Sequence, residues 1–223
     1  MEALEDVPYV AARAALPEHL EQRKKRGSDR MRYIADTTEF QIEEPTIVTL
    51  GKFDGRHRGH QKLLRTMMEL KAETGYPTAI FTFGTAPGTA VTGKPQTVIT
   101  TNLERRANME KVGIDYLVEY PFTEETRHME PEAFVKDILA GRMHAREIVV
   151  GPDCSFGYKG AGSAELLSAM ARDLGYHLHV IEKEKDHRRD ISSTYIREEL
   201  EKGNVEKANQ LLGQPYAIHG EVV

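Results

Sequence analysis

Residues 46–60 read Thr-Ile-Val-Thr-Leu-Gly-Lys-Phe-Asp-Gly-Arg-His-Arg-Gly-His. Ile47, Val48 and Leu50 form a short apolar, β-branched run that stops at Gly51, the pattern of a buried strand. From Arg58 onward, Leu63, Leu64, Met67, Met68 and Leu70 recur at helical spacing. Between them lies a glycine turn carrying His57 and His60. Strand, glycine turn and helix is the arrangement that aims backbone N–H groups and a helix N-terminus at an anion. Two imidazoles three residues apart share a helical face, so both can reach one phosphate group.

The same alternation continues outward. Thr78–Phe83 reads as a second strand, and a loop rich in Gly, Thr and Pro follows over 84–95, suited to a surface loop near a site or a plain connection. Asn102 is placed as the cap of a helix running to Val112, which Gly113 ends. Residues 114–120 read as a third strand, 131–139 as an amphipathic helix and 147–150 as a short buried strand. A helix over 165–174 stopped by Gly175, a strand over 176–181, and helices from Ser192 to Lys202 and over 205–212 complete the order. Strands alternating with helices of about 10–15 residues predict an α/β fold, a parallel sheet with helices on both faces. Ligands of such sheets bind beyond the carboxyl ends of the strands, so segments 51–60, 84–95, 151–162 and 191–194 are the expected site walls.

Composition bounds the function. At 223 residues and 25.2 kDa, one substantial domain is expected. The net charge of −5 argues against nucleic acid held by bulk electrostatics. A single cysteine, Cys154, leaves no intramolecular disulfide and no cysteine zinc site, and fits a reducing compartment. No apolar run approaches the roughly 20 residues that span a bilayer. A cytoplasmic enzyme or binding protein, with no membrane partner, is the expectation. Residues 1–30 are mostly charged from Glu18 onward and read as a solvated extension that need not be ordered, with Met31 a plausible native start.

Three segments carry chemistry. In the first, Gly51, Gly55 and Gly59 allow close backbone approach, while His57 and His60 can donate to phosphoryl oxygens as charge builds in a transition state. No Gly-Lys-Ser/Thr closes the turn, so it is not a Walker A loop, and it lacks the Gly-x-Gly-x-x-Gly of dinucleotide sites. In the second, Ser192, Ser193 and Thr194 either cap a helix or, with Arg197 one turn on, form an anion cradle. In the third, 151–162 (Gly-Pro-Asp-Cys-Ser-Phe-Gly-Tyr-Lys-Gly-Ala-Gly), Phe156 and Tyr158 can line a pocket for a planar ligand and Asp153 can face a metal or nucleotide. The other reading of that segment is an ordinary strand-to-helix loop. Cys154 has no histidine beside it and reads as a small buried hydrophobe.

Taken together, Gly-Lys-Phe-Asp-Gly-x-His-x-Gly-His, Thr-Phe…Pro, Gly-x-Asp-x-x-Phe-Gly, Ile-Ser-Ser-Thr-x-Ile-Arg and the tail Leu211-Leu212-Gly213-Gln214-Pro215-Tyr216 resemble the prokaryotic FAD synthetases, bifunctional riboflavin kinase/FMN adenylyltransferases. The resemblance covers roughly residues 31–223 and implies a Rossmann-like nucleotidyltransferase fold catalysing FMN + ATP → FAD + pyrophosphate with Mg²⁺. Position by position, it implies that His57, His60 and Arg197 serve catalysis. It implies that Gly51, Phe53, Asp54, Gly55, Ser192, Ser193 and Thr194 bind ATP and its leaving pyrophosphate. Phe83, Asp153 and Phe156 would border the flavin, with Asp153 also a possible metal ligand.

The chain departs from the family at three places. Gly84 stands where the family has Asp after Thr-Phe, and Cys154 and Ser155 replace an aromatic often followed by Arg. The kinase barrel is expected to begin near Tyr216 but only a stub, 215–223, follows the adenylyltransferase unit of 31–214, so kinase activity is expected to be absent and a strand edge left unpaired. Two alternatives stay open: an adenylyltransferase for another phosphorylated acceptor, such as phosphopantetheine or nicotinamide mononucleotide, and a degenerate nucleotide- or flavin-binding protein.

Overall fold

The computed structural model describes residues 30–84 and 97–218. The expected extension before residue 30, the loop 85–96 and the end of the stub from residue 219 lie outside the described residues. Six strands form one parallel sheet: β1 (Arg32–Ala35), β2 (Thr46–Leu50), β3 (Thr78–Phe83), β4 (Tyr116–Tyr120), β5 (Ala145–Val150) and β6 (His177–Val180). Their order is β1-β4-β3-β2-β5-β6. From β2 the chain steps outward through β3 and β4, then returns to lay β5 and β6 on the other side of β2. The order reverses between β2 and β5, and a crevice at their carboxyl ends is the expected ligand site.

Strand register sorts the apolar residues to two faces. Ile47, Ile80, Leu117 and Val149 meet Leu64 and Met67 of α1 (Arg58–Thr74) and Met109 of α2 (Asn102–Val112). Val48, Phe81, Val118, Ile148 and Val150 face the opposite layer, where Phe134, Ile138 and Leu139 pack with Leu167 of α3 (Ala164–Leu174). Burial on both faces explains why Ile47 and Val48 of β2 are adjacent apolar residues rather than an apolar–polar alternation, with Thr46 and Thr49 buried beside them. A smaller cluster joins α4 (Ser193–Glu201) to α5 (Val205–Leu212) through Ile196, Ala208, Leu211 and Leu212, with Ile99 and Ile191 beside them.

The differences from the sequence reading are local. The cap of α2 is Thr101, not Asn102: its hydroxyl accepts from the Glu104 N–H while the Glu104 carboxylate accepts from the Thr101 N–H, a capping box. The helix expected over 131–139 is α-helical only at Pro131–Ala133 and continues as a wide π-helix over Phe134–Arg142. Strand β4 begins at Tyr116 rather than 114, and β5 begins earlier, at Ala145. Strand β1 and a two-residue-per-strand hairpin, Lys185–Asp186 with Arg189–Asp190, were not anticipated. Residues 216–218 belong to no strand. No described helix is long and apolar enough to cross a membrane.

Candidate active site

The turn after β2 is strained and fixed from several sides. Phe53 (φ 50°), Gly55 (φ 81°) and Arg56 (φ 42°) all occupy the left-handed region, which costs energy at the two residues that carry a Cβ. Gly55 also has no room for a side chain, since a Cβ there would lie 2.9 Å from Ile99 Cδ1. Asp54 is the pin of the turn. Its Oδ1 accepts from the N–H groups of Ile99 and Thr100 at 2.8 and 3.0 Å, and its Oδ2 accepts from Arg197 Nη1 at 2.8 Å. Ser193 Oγ donates to the Asp54 carbonyl and Gly55 N–H donates to Thr100 Oγ1. On the far side, Arg56 Nη2 donates to Gln214 Oε1 at 2.6 Å, and Gln61 Nε2 donates to the carbonyls of Arg56 and Leu212. Strain held by this many partners is pre-organisation.

His57 is the N-cap of α1, its Nδ1 accepting from the His60 N–H. An Nδ1 that accepts leaves the proton of a neutral imidazole on Nε2, the end free to donate. The His57 and His60 rings stack at 3.7 Å, and Phe53 lies 4.8 Å beyond His60. Burial pushes His57 down to about 4 and, with His57 as a neighbour, holds His60 well below the usual histidine range. Both are therefore neutral hydrogen-bonding groups at pH 7, not imidazolium ions. Gly59 makes the stack possible, because a Cβ there would lie 3.2 Å from the His57 ring.

Beside this turn, over the carboxyl ends of β2, β3 and β5, a cleft of about 1200 Å³ opens. Its lining includes Gly51, Asp54, Phe83, Asp153, Phe156, Ser193, Thr194 and Arg197 from the sequence reading. Phe53, Gly55, His57, His60 and Ser192 stand behind the lining instead. Phe53 is 1% exposed and His57 7%, and Ser192 serves as the cap of α4, accepting from the Tyr195 N–H. The two readings of 192–197 thus divide between residues: Ser192 caps, Thr194 accepts from Arg197 at the cleft, and Arg197 is already engaged by Asp54.

One side of the cleft is a wall of rings. Phe83 meets Phe122 and Phe81 at 5.0 and 5.4 Å, Phe81 meets Phe134 at 5.0 Å, and Phe134 meets Phe156 at 5.4 Å. Phe122, Phe134, Met129 and Arg105 were missed by sequence reasoning, because each sits in a helical or strand-flanking pattern with no motif around it. Only the alternation of 78–83, which turns Phe81 and Phe83 to one face, hinted at the wall. Electrostatically the cleft is cationic: Lys52, Arg105, Arg127, Lys159 and Arg197 line it against Asp54 and Asp153, in a chain of net charge −5. Such a site favours anionic ligands. Cys154 is half-buried, its thiol pushed up to about 11 by burial and then by Asp153 and Glu165, so it is protonated and no nucleophile at pH 7.

A divalent cation finds limited support here. Among the described residues no three His, Cys, Asp or Glu side chains gather as a metal cage. Asp54 is spent on Arg197, leaving Asp153, 67% exposed and paired to Lys183 at 2.8 Å. One carboxylate suits Mg²⁺ that arrives on nucleotide phosphates and keeps most of its water, and suits little else.

The family model described as FAD synthetase matches residues 39–195, which takes in the β2 turn, the 151–162 loop and Ser192 to Thr194 but stops short of Arg197. A Listeria monocytogenes protein described as bifunctional riboflavin kinase/FMN adenylyltransferase is 34% identical over 189 residues, covering 84% of this chain and 60% of its own length. A Bacillus subtilis protein of the same description is 34% identical over 183 residues, covering 80% of this chain and 56% of its own length. The chain therefore spans well under two thirds of these relatives. Among solved structures, one described as a macrolide-efflux protein from Streptococcus pneumoniae superposes with a TM-score of 0.73 at 27% identity, over 86% of this chain and 64% of that one.

Proposed function

The chain belongs to the FAD synthetase family, and from that premise we propose that it transfers the adenylyl group of ATP to the phosphate of FMN. The observation that carries this reading is the division of the cleft: a glycine turn and helix N-terminus on one side, which suit a phosphate, and a wall of phenylalanine rings on the other, which suits a flat heteroaromatic ring. Residues 31–214 supply the unit, with ATP and FMN as its substrates.

An oxygen of the FMN phosphate attacks the α-phosphorus of ATP, the bond from that phosphorus to the β-phosphate bridge breaks, and pyrophosphate leaves with the electron pair. Little covalent chemistry falls to the protein, so positioning and electrostatics dominate. The backbone N–H groups at the start of α1 and the Nε2–H of His57 stabilise charge on the α-phosphoryl oxygens, and His60, stacked on His57 at 3.7 Å, holds that ring in place. A neutral imidazole suits that task, since it donates without lending a proton to solvent at pH 7. Thr194 and Arg197, with the N-terminus of α4 behind them, receive the leaving pyrophosphate. Asp54 orients Arg197 rather than touching substrate. Phe83 and Phe156 border the flavin. Mg²⁺, carried in by the phosphates, neutralises their charge when bound, with Asp153 as its one protein candidate.

A second reading has its own observation. Gly84 brings no side chain to the cleft mouth, and Cys154 and Ser155 offer neither a ring nor a charge there, which favours a protein that binds nucleotide and flavin and turns over poorly. A chromatographic assay with FMN, ATP and Mg²⁺ separates the two. FAD and pyrophosphate forming together in equal amounts is the expected result. ATP binding without any FAD would replace the enzyme by the binder, and FAD-free turnover of phosphopantetheine or nicotinamide mononucleotide would replace the acceptor.

A further inference from the structure

Arg105 stands apart from the other cations of the cleft. It lies on α2 with its side chain only 10% exposed, its Nη2 donates to Glu119 Oε1 at 2.6 Å, and that same nitrogen is 3.5 Å from the Phe83 carbonyl. Its Nε is buried with no partner among the described residues. Glu119, 2% exposed on β4, also accepts from Arg106 Nη2 and the Tyr33 hydroxyl, both at 2.7 Å, and Arg106 lies 4.1 Å over the Tyr33 ring. Burial pushes the Glu119 carboxyl up, but the hydrogen bonds from Arg106, Arg105 and Tyr33 outweigh it and keep it ionised. One buried carboxylate thus faces two guanidiniums, and Asp36 near Arg106 and Tyr33 supplies the second counter-charge on the side away from Arg105 Nε. An unpaired, buried N–H on a charged side chain beneath a cleft is unfavourable unless a ligand completes it.

Position says which part of a ligand does so. Glu119 sits on β4, two strands from β2, whose carboxyl end carries the glycine turn. At strand spacings of roughly 4.8 Å, that is about 10 Å across the sheet. On the reading of function given above, on which this inference rests, an acceptor whose phosphate lies at the β2 turn extends its ring over β3 and β4. We propose that Arg105 recognises the pyrimidine edge of the isoalloxazine, donating to its carbonyl and ring-nitrogen acceptors beside Phe83 and Phe122. Glu119 is the positioning residue that holds the guanidinium edge-on, and Arg106 with Tyr33 holds Glu119.

The test is flavin-fluorescence quenching with FMN and with riboflavin, the same ring lacking the phosphate, on wild type, Arg105→Met, Arg105→Lys and Glu119→Gln. Arg105→Met is expected to weaken both flavins by the same factor, roughly tenfold or more, with ATP affinity unchanged. Arg105→Lys recovers part of the loss, because a point charge replaces a fork. In absorbance titrations the N3–H of the bound flavin moves to higher pH in Arg105→Met, since a cation beside that edge favours the flavin anion; a merely structural role leaves it in place. If Arg105→Met fails to fold, Arg105→Lys and Glu119→Gln carry the same comparison. Weakening of FMN alone would make Arg105 a phosphate ligand and overturn the proposal, as would unchanged affinity for both flavins. Wild-type protein that binds ATP but neither flavin overturns the reading of function as well, whereas wild-type binding with unchanged variants removes Arg105 alone.

Discussion

The two sides of the cleft are built by opposite means. The side proposed for phosphate is a short run of chain, 51–60, whose odd backbone angles are held by Asp54, Ser193, Gln61 and Arg56, so that its polar groups are committed before any ligand arrives. The aromatic side has no such frame. Phe83, Phe122, Phe134 and Phe156 come from four separate stretches and meet only because parallel pairing and the π-helix bring them to one face. On the proposed reading, local constraint fixes where charge is stabilised, while dispersed packing shapes what is accepted. Catalysis and selectivity should then be separable by mutation.

The largest effects belong on the phosphate side. His57→Ala or His60→Ala is expected to slow adenylyl transfer by roughly 10²-fold or more, with flavin affinity little changed. Steady-state rates beside binding titrations check it, and equal losses in both would erase the division between the two sides. The same ring pair carries a pH signature. An unfolded histidine titrates near 6.5 whereas His57 does so near 4, so protons favour the unfolded chain between those values. Stability is then full above about pH 6.5 and falls as the pH drops towards 4. Urea midpoints from pH 4 to 7.5 should show that limb in the wild type and a shallower one in His57→Gln.

Next comes the pin. Asp54→Ala leaves Arg197 unpaired and two backbone N–H groups without an acceptor, an expected loss of about 2–3 kcal/mol. Thermal melts measure it. Activity should fall further than the melt explains, through Arg197, and a variant with normal kcat would mean that Asp54 holds the fold and nothing more.

That contrast also explains what could be read from the chain. Strand β2, its turn and α1 were legible because their chemistry is contiguous: a buried run, glycines at the bends and two histidines at fixed spacing. The alternation of strands and helices made the parallel sheet legible for the same reason. Strand β1 was not, since Arg-Tyr-Ile-Ala has no apolar run and is held by pairing to β4 and by Tyr33 reaching Glu119. The hairpin at 185–190 is wholly polar, tied down by Lys207 to Asp186 and by Arg189 to Glu198. Nor did sequence show that the histidines lie behind the cleft lining, because ring stacking and burial depend on Phe53 turning inward at a positive φ. Arg105 reads as one more charge on a helix until the buried Glu119 appears beneath it.

On the aromatic side the expected effects are smaller. Phe83→Ala removes ring contacts worth about 1–1.5 kcal/mol and should weaken flavin about tenfold while leaving the Michaelis constant for ATP in place. Flavin quenching and ATP kinetics on the same preparation decide it. A rise in the ATP constant would show that the two sides are coupled.

The smallest expected effect is the most discriminating. Gly84 lies at the end of β3 where the wall of rings meets the polar side, its carbonyl accepting from Asn102 Nδ2 at 2.8 Å. A Cβ there meets nothing within 4 Å, and the residue is not in the left-handed region. Gly84→Asp should therefore fold with a stability change within about 0.5 kcal/mol, as surface substitutions usually do. Its carboxylate would enter the cleft on the side of Arg105, whose free edge it can engage. If that edge belongs to the flavin, the new carboxylate competes for it, and any gain in kcat from better phosphate or metal positioning is offset by weaker flavin binding. A several-fold rise in kcat with a matching rise in the flavin Michaelis constant is the expected pattern. A rise in kcat alone would place the carboxylate on the phosphate side, and no change in either would show that position 84 limits neither step.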